Sequence, residues 1–125
     1  MIISDIKIDI STAEVNQSLV INVPAFLTID TLEQIKESIA NHLRFSFLRA
    51  IIFDLSACKV IDYSEFFTLK DIALATKLLG CLPIFVGIRP GVAAYLASNN
   101  ADYSNLTILS NITVAYDYLS KSDAY

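Results

Sequence analysis

The residues best placed for chemistry are the consecutive polar side chains Asp62, Tyr63, Ser64 and Glu65. They follow the apolar run Ala50 to Leu55, which reads as a buried strand, and a short loop ending in Val60-Ile61-Asp62-Tyr63-Ser64. They precede a helix that the spacing of apolar residues predicts over about Ser64 to Leu79. The first four N–H groups of a helix lack internal partners and carry partial positive charge, so a carboxylate or a phosphoryl group at that mouth is stabilised. The hydroxyl of Ser64 could accept a phosphate there, or cap the helix, which is worth about 1 kcal/mol. The ring of Tyr63 is either a half-exposed loop tip or an anchor for a partner, since tyrosine buries much area at low entropic cost. Glu65 adds a fixed negative charge beside the mouth and partly mimics a modified state.

Other chemistries find less support. Gly87-Ile88-Arg89-Pro90-Gly91 has the wrong spacing for a phosphate loop and no Lys-Ser/Thr follows it. There is no Gly-x-Ser-x-Gly elbow and no Ser/His/Asp set, which leaves hydrolysis without machinery. Asp54 and Asp62 lie where ligands collect in open α/β sheets, at or just beyond the end of a strand. A phosphoacceptor receiver would also need acids after its first strand, where Ser11-Thr12-Ala13 stand, and a late lysine, where Arg89 stands. Asp54 is therefore read as a strand-end carboxylate bonded to loop amides. His42, the single histidine, has no second nitrogen ligand and reads as a solvated helix residue, so no metal and no cofactor are expected. Cys58 and Cys81 lack CxxC spacing and read as packed, reduced thiols.

The elements that must position these residues follow from periodicity. Ile2 to Ile10 alternates as a half-buried strand and Ser18 to Val23 reads as a second, with a short extended piece at Phe26 to Ile29. Asp30-Thr31 supplies a cap and Thr31-x-x-Gln34 a capping box for a helix whose apolar stripe is Leu32, Ile35, Ile39 and Leu43. In the helix after Ser64 the core stripe is Phe66, Leu69, Ala73, Thr76 and Leu79, and Gly80 stops it. Leu82 to Val86 is a buried strand, Pro90 opens a third helix, and Thr107 to Leu109 is a short strand. A last helix is capped by Ser110 or Asn111, with Ile112, Ala115 and Leu119 on one face. Strands alternating with helices require right-handed crossovers. The fold class is α/β: a mixed sheet, parallel at its centre and antiparallel at an N-terminal edge, flanked by four helices.

A length of 125 residues suits a single domain over 1–125, and 54% hydrophobic with 18% charged residues is ample for a packed core. Net charge −4, with nine Lys+Arg thinly spread, leaves no basic stripe and argues against nucleic acid. The first ten residues lack a basic region followed by a long apolar one, and no apolar run is long enough to span a bilayer. No membrane association and a cytoplasmic location are expected, so the Asn-x-Ser/Thr triplets at Asn16, Asn105 and Asn111 are chance matches.

Ile51-Ile52-Phe53-Asp54-Leu55-Ser56, Val60-Ile61-Asp62-Tyr63-Ser64, Leu78-Leu79-Gly80 and Val86-Gly87-Ile88-Arg89-Pro90, in this order and spacing, resemble a STAS domain. More narrowly they are similar to anti-sigma factor antagonists of the stressosome type, over roughly Ser18 to Leu119. The resemblance implies a non-enzymatic partner-switching protein that binds an anti-sigma factor or a switch serine kinase until a serine or threonine is phosphorylated. A phosphate brings about −1.5 to −2 charges to the docking surface and acts there by repulsion and desolvation. It also implies association with other STAS proteins in homo- or hetero-oligomers. The family acceptor directly follows the loop aspartate, so its position is Tyr63. A second site, after Gly-Ile-x-Pro, falls near Tyr95. Neither is an aliphatic hydroxyl, so the switch has either moved to Ser64 or is absent. The partner-binding set is Asp62, Tyr63, Ser64 and Glu65 with Arg89. Two other readings remain: a small-molecule or lipid carrier, and an assembly scaffold using flat apolar surface that includes Phe66 or Tyr95.

Overall fold

The computed structural model of the chain describes residues 10–122. Its elements are β1 (Thr12–Val15), β2 (Ser18–Asn22), α1 (Ile29–Phe45), β3 (Ala50–Asp54), α2 (Tyr63–Leu78), β4 (Leu82–Val86), α3 (Pro90–Ser98), β5 (Thr107–Leu109) and α4 (Ile112–Ser122). They form one sheet in the order β1-β2-β3-β4-β5, with β1 antiparallel to β2 and every other pair parallel. This is the expected mixed α/β sheet with four helices.

Alternation along the central strands sorts the core into two layers. Leu19, Ile21, Ile51, Phe53 and Phe85 face α1, α2 and α3. Val20, Ile52, Ile84 and Val86 face Ala115 and Leu119 of α4. Because β3 and β4 are covered on both faces, they read as continuous apolar runs rather than as alternating ones. Phe53 and Phe85 lie side by side in register, with ring centroids 5.1 Å apart, and Phe66 meets Phe85 edge-on at 6.2 Å.

Several sequence expectations are corrected. The strand expected over Ile2 to Ile10 lies outside the described residues except for Ile10, which packs against the larger core layer. The first described strand instead begins at Thr12 and is folded onto β2 by Asn16 and Gln17, both left-handed (φ 51° and 64°), as a two-residue hairpin turn requires. The cap of α1 is Thr28, not Asp30. Thr28 and Thr31 form the capping box, with the Thr28 amide donating to Thr31 Oγ1 at 2.7 Å and the Thr31 amide to Thr28 Oγ1 at 3.2 Å. Leu79 lies past the end of α2 and is exposed, while Gly80 (φ 88°) makes the left-handed turn. Phe66 is buried, so it offers no assembly surface; the exposed neighbour is Phe67. His42 is not merely solvated: its Nδ1 bonds the Glu14 carboxylate and its Nε2 lies 3.4 Å from Thr12 Oγ1, fastening β1 to the end of α1.

Candidate functional site

The connection from β3 to α2 is built by short-range bonds. Asp54, half-buried at the strand end, accepts from the Ser56 amide at 3.0 Å and from the Ser56 hydroxyl, which is the loop-bonded role expected of it. Beyond it Cys58 and Ile61 are buried, pinning the loop from beneath, while Val60 pairs with Phe26 in an isolated parallel bridge. Burial pushes the Cys58 thiol above its ordinary pKa, and the nearby Glu65 charge adds to the effect. Burial does the same to Cys81. Both cysteines are free and packed, as the sequence suggested.

Between the buried Ile61 and the buried Phe66, the polar residues turn outward at the start of α2. Asp62 is the N-cap, with extended backbone (φ −77°, ψ 150°), and its amide donates to Glu65 Oε1 at 3.3 Å. Ser64 is therefore not the cap. It lies one residue inside the helix, exposed, with its carbonyl accepting from Thr68 Oγ1 at 3.0 Å. Aspartate and serine cap about equally well, so residue type alone does not choose between Asp62 and Ser64.

Tyr95, half-exposed on α3, completes the mouth. Its hydroxyl donates to Asp62 Oδ1 at 3.3 Å and accepts from the Tyr63 amide at 3.4 Å. One phenol thus satisfies a free N–H of the first turn and the cap carboxylate together. The Tyr63 ring, half-buried, stacks on Phe67 at 6.5 Å, and Lys70 lies over Phe67 while donating to the Asp102 carbonyl at 3.1 Å. The sequence had no means of joining Tyr95 to Asp62. Their contact depends on how α3 packs beside α2.

Arg89 stands at the N-cap of α3 and donates from Nε to the Ser56 carbonyl at 2.8 Å, tying the β4–α3 turn to the β3–α2 loop rather than joining the Asp62 group. Gly87 (φ 71°) makes this approach possible: a Cβ there would sit 3.0 Å from Asp54 Oδ1 and 3.0 Å from Ser56 Oγ. Among the described residues no group of three or more His, Cys, Asp or Glu is arranged to hold a metal, and no helix is long and apolar enough to cross a membrane.

A sequence model of the STAS domain matches residues 9–112 of the chain. The chain belongs to the STAS domain family. Solved structures agree on this STAS fold. An RsbS variant from Moorella thermoacetica superposes with a TM-score of 0.77 at 22% identity, covering 93% of this chain and 98% of its own. A chain from the architecture of the stressosome, described as a signal integration and transduction hub, gives 0.75 at 22% identity over 92% and 100%. The unphosphorylated anti-sigma factor antagonist SpoIIAA gives 0.69 at 15% identity over 90% and 96%. No characterised protein sequence matches the chain at a significant level. The structure brings Tyr95 and Tyr63 into contact at one helix mouth.

Proposed function

We propose that this STAS protein is a non-enzymatic regulatory module of the cytoplasm that docks an anti-sigma factor or a serine kinase of the switch type, and that it does so without a phosphate switch. The docking surface is the start of α2, with Asp62, Tyr63, Ser64 and Glu65 at its centre and Arg89 bracing the adjoining loop. The observation that carries this reading is the Tyr95 hydroxyl held between Asp62 and the Tyr63 amide. A phenol fills the position whose modification would otherwise release a partner. Ser64, the aliphatic hydroxyl nearest that position, lies in the first turn of α2 and is exposed.

Incubation with an anti-sigma-type serine kinase and ATP, followed by intact mass measurement, tests the constitutive version. Unchanged mass together with a stable complex is the expected outcome. Addition of one phosphoryl group at Ser64 refutes it in favour of a displaced switch. The carrier reading has in its favour an open apolar groove of about 610 Å³ between α1 and α2, and another of about 630 Å³ lined by Ile88, Leu96, Tyr103 and Ile108. A retained small molecule or lipid in the native mass spectrum of freshly purified protein would support that reading instead.

A further inference from the structure

Two loops meet at the end of the sheet where β3 and β4 begin, one leading from α1 into β3 and the other from α2 into β4. They are joined directly. The Leu82 amide donates to the Arg49 carbonyl at 2.9 Å, and the Cys81 thiol donates to the Leu48 carbonyl at 3.3 Å. Leu48 and Cys81 sink into the core as the inner anchors of the pair. The large side chains around them lie in solvent instead. Phe45 is 82% exposed, Phe47 76%, Leu78 89% and Leu79 66%, so four apolar side chains are gathered at one end of the molecule. Surface apolar residues scattered singly need no explanation, but a cluster of this kind marks a contact surface.

Charge decides what that surface can meet. Arg44 and Lys77, both exposed, stand in the last turns of α1 and α2 beside the four side chains, with the Arg44 guanidinium 6.0 Å from the centre of the Phe45 ring. Glu14 reaches this end but is engaged by His42 and, at 3.2 Å, by the Ser46 hydroxyl. The opposite end of the helices is also apolar, with Ile29 77% exposed, but there the first turns hold Asp30 and Glu65, and Asp62 caps α2. The two ends therefore favour different occupants. Apolar side chains rimmed by cations suit a surface of anionic lipid headgroups, where the rings and leucines enter the acyl boundary and the cations meet phosphates. A rim of acids would be repelled by the same surface.

We propose that the α1–β3 and α2–β4 loops form a contact for an anionic phospholipid surface, in which Phe45, Phe47, Leu78 and Leu79 insert and Arg44 and Lys77 pair with headgroup phosphates. The sequence expectation of no membrane association rests on the lack of a long apolar run, and attachment at a surface needs none. Each Lys or Arg close to an anionic leaflet strengthens binding about fivefold, so the two cations together contribute about 25-fold. Lasting attachment takes two signals, an apolar one and a basic one, and this end carries both. The mouth of α2 lies 16 residues away along the helix, about 24 Å, so a bilayer at this end and a protein docked at that mouth do not compete.

Flotation of the full chain at low salt, with vesicles rich in phosphatidylglycerol and with vesicles of phosphatidylcholine alone, tests this. The chain should bind the anionic vesicles, and the neutral ones about 25-fold more weakly. Phe47→Ser and Leu78→Ser should each weaken binding to the anionic vesicles about tenfold, and Arg44→Gln/Lys77→Gln should lower it about 25-fold, to the neutral level. Ile29→Ser, at an equally exposed position of the acidic end, should leave binding unchanged, with circular dichroism showing every variant folded. No flotation with either vesicle overturns the proposal. So does equal flotation with both, or a loss in Ile29→Ser as large as that in Phe47→Ser. A dimer in sedimentation velocity that Phe47→Ser dissociates, without vesicle binding, assigns the patch to protein contact and overturns it as well.

Discussion

Replacing Gly87 by alanine probes the close approach of the β4–α3 turn to the β3–α2 loop, the contact that holds the lead-in to α2. Two costs are separable. A left-handed φ of 71° on a residue with a Cβ costs about 1–2 kcal/mol. The new Cβ would also lie 3.0 Å from Asp54 Oδ1 and 3.1 Å from the Ser56 amide nitrogen, a backbone atom that cannot rotate away. Relieving that contact disturbs the hydrogen bonds from Ser56 to Asp54, worth about another 1–2 kcal/mol. The sum is about 2–4 kcal/mol, or a Tm lowered by about 8–15 °C at about 2.1 cal/mol/K of unfolding entropy per residue. Gly80 is the internal control: its φ is 88°, yet nothing lies within 4 Å of a Cβ there, so Gly80→Ala bears only the backbone cost of about 1–2 kcal/mol. Urea and thermal unfolding of the two variants isolate the contact as a difference. Equal losses in the two would refute the argument that packing against Asp54 and Ser56 is what requires glycine at position 87.

Tyr95→Phe removes one donor and one acceptor at long, half-exposed bonds, so it should cost less than about 1 kcal/mol while speeding hydrogen exchange at the Tyr63 amide; NMR exchange measurements check this. His42 and Ser46 hold the Glu14 carboxyl below its ordinary pKa of 4.5, the hydrogen bond from His42 being the main cause. A depressed folded-state pKa gives stability that is present above 4.5 and lost as pH falls through the folded value. Glu14→Gln should accordingly be less stable than the parent at pH 6 and no less stable in acid, a comparison made by urea titration at the two pH values. Cys58 and Cys81, buried with raised pKa values, should resist iodoacetamide in the native state and both react in denaturant, as mass spectrometry would count.

The parallel half of the sheet was legible because β3 and β4 are covered on both sides and β5 is bounded by turn residues. Their helices were legible because Gly80 and Pro90 mark helix boundaries, and Asn111 caps α4 through a bond from the Val114 amide at 2.9 Å. What escaped was decided by tertiary contact. Thr12 to Val15 contains one large apolar residue and reads as loop; it becomes a strand because β2 offers it an edge. His42 looked solvated because Glu14 lies 28 residues earlier, with no local pattern to join them. At the candidate site, the order of motifs located the mouth of α2 and its polar residues. The identity of the cap and the reach of Tyr95 depended on which neighbours sink into the core. Phe66 and Phe67 illustrate the limit, since helical spacing alone does not tell which of two adjacent phenylalanines faces inward.

Among the described residues, the two outer strands of the sheet are its shortest: β5 has three residues, and β1 has four with an acid, Glu14, among them. In a chain this rich in Ile, Leu, Val and Phe, a long free backbone margin would template the addition of foreign strands and seed fibrils. Truncating both outer strands, and placing a charge on one, confines the sticky β-forming runs to positions already paired on either side.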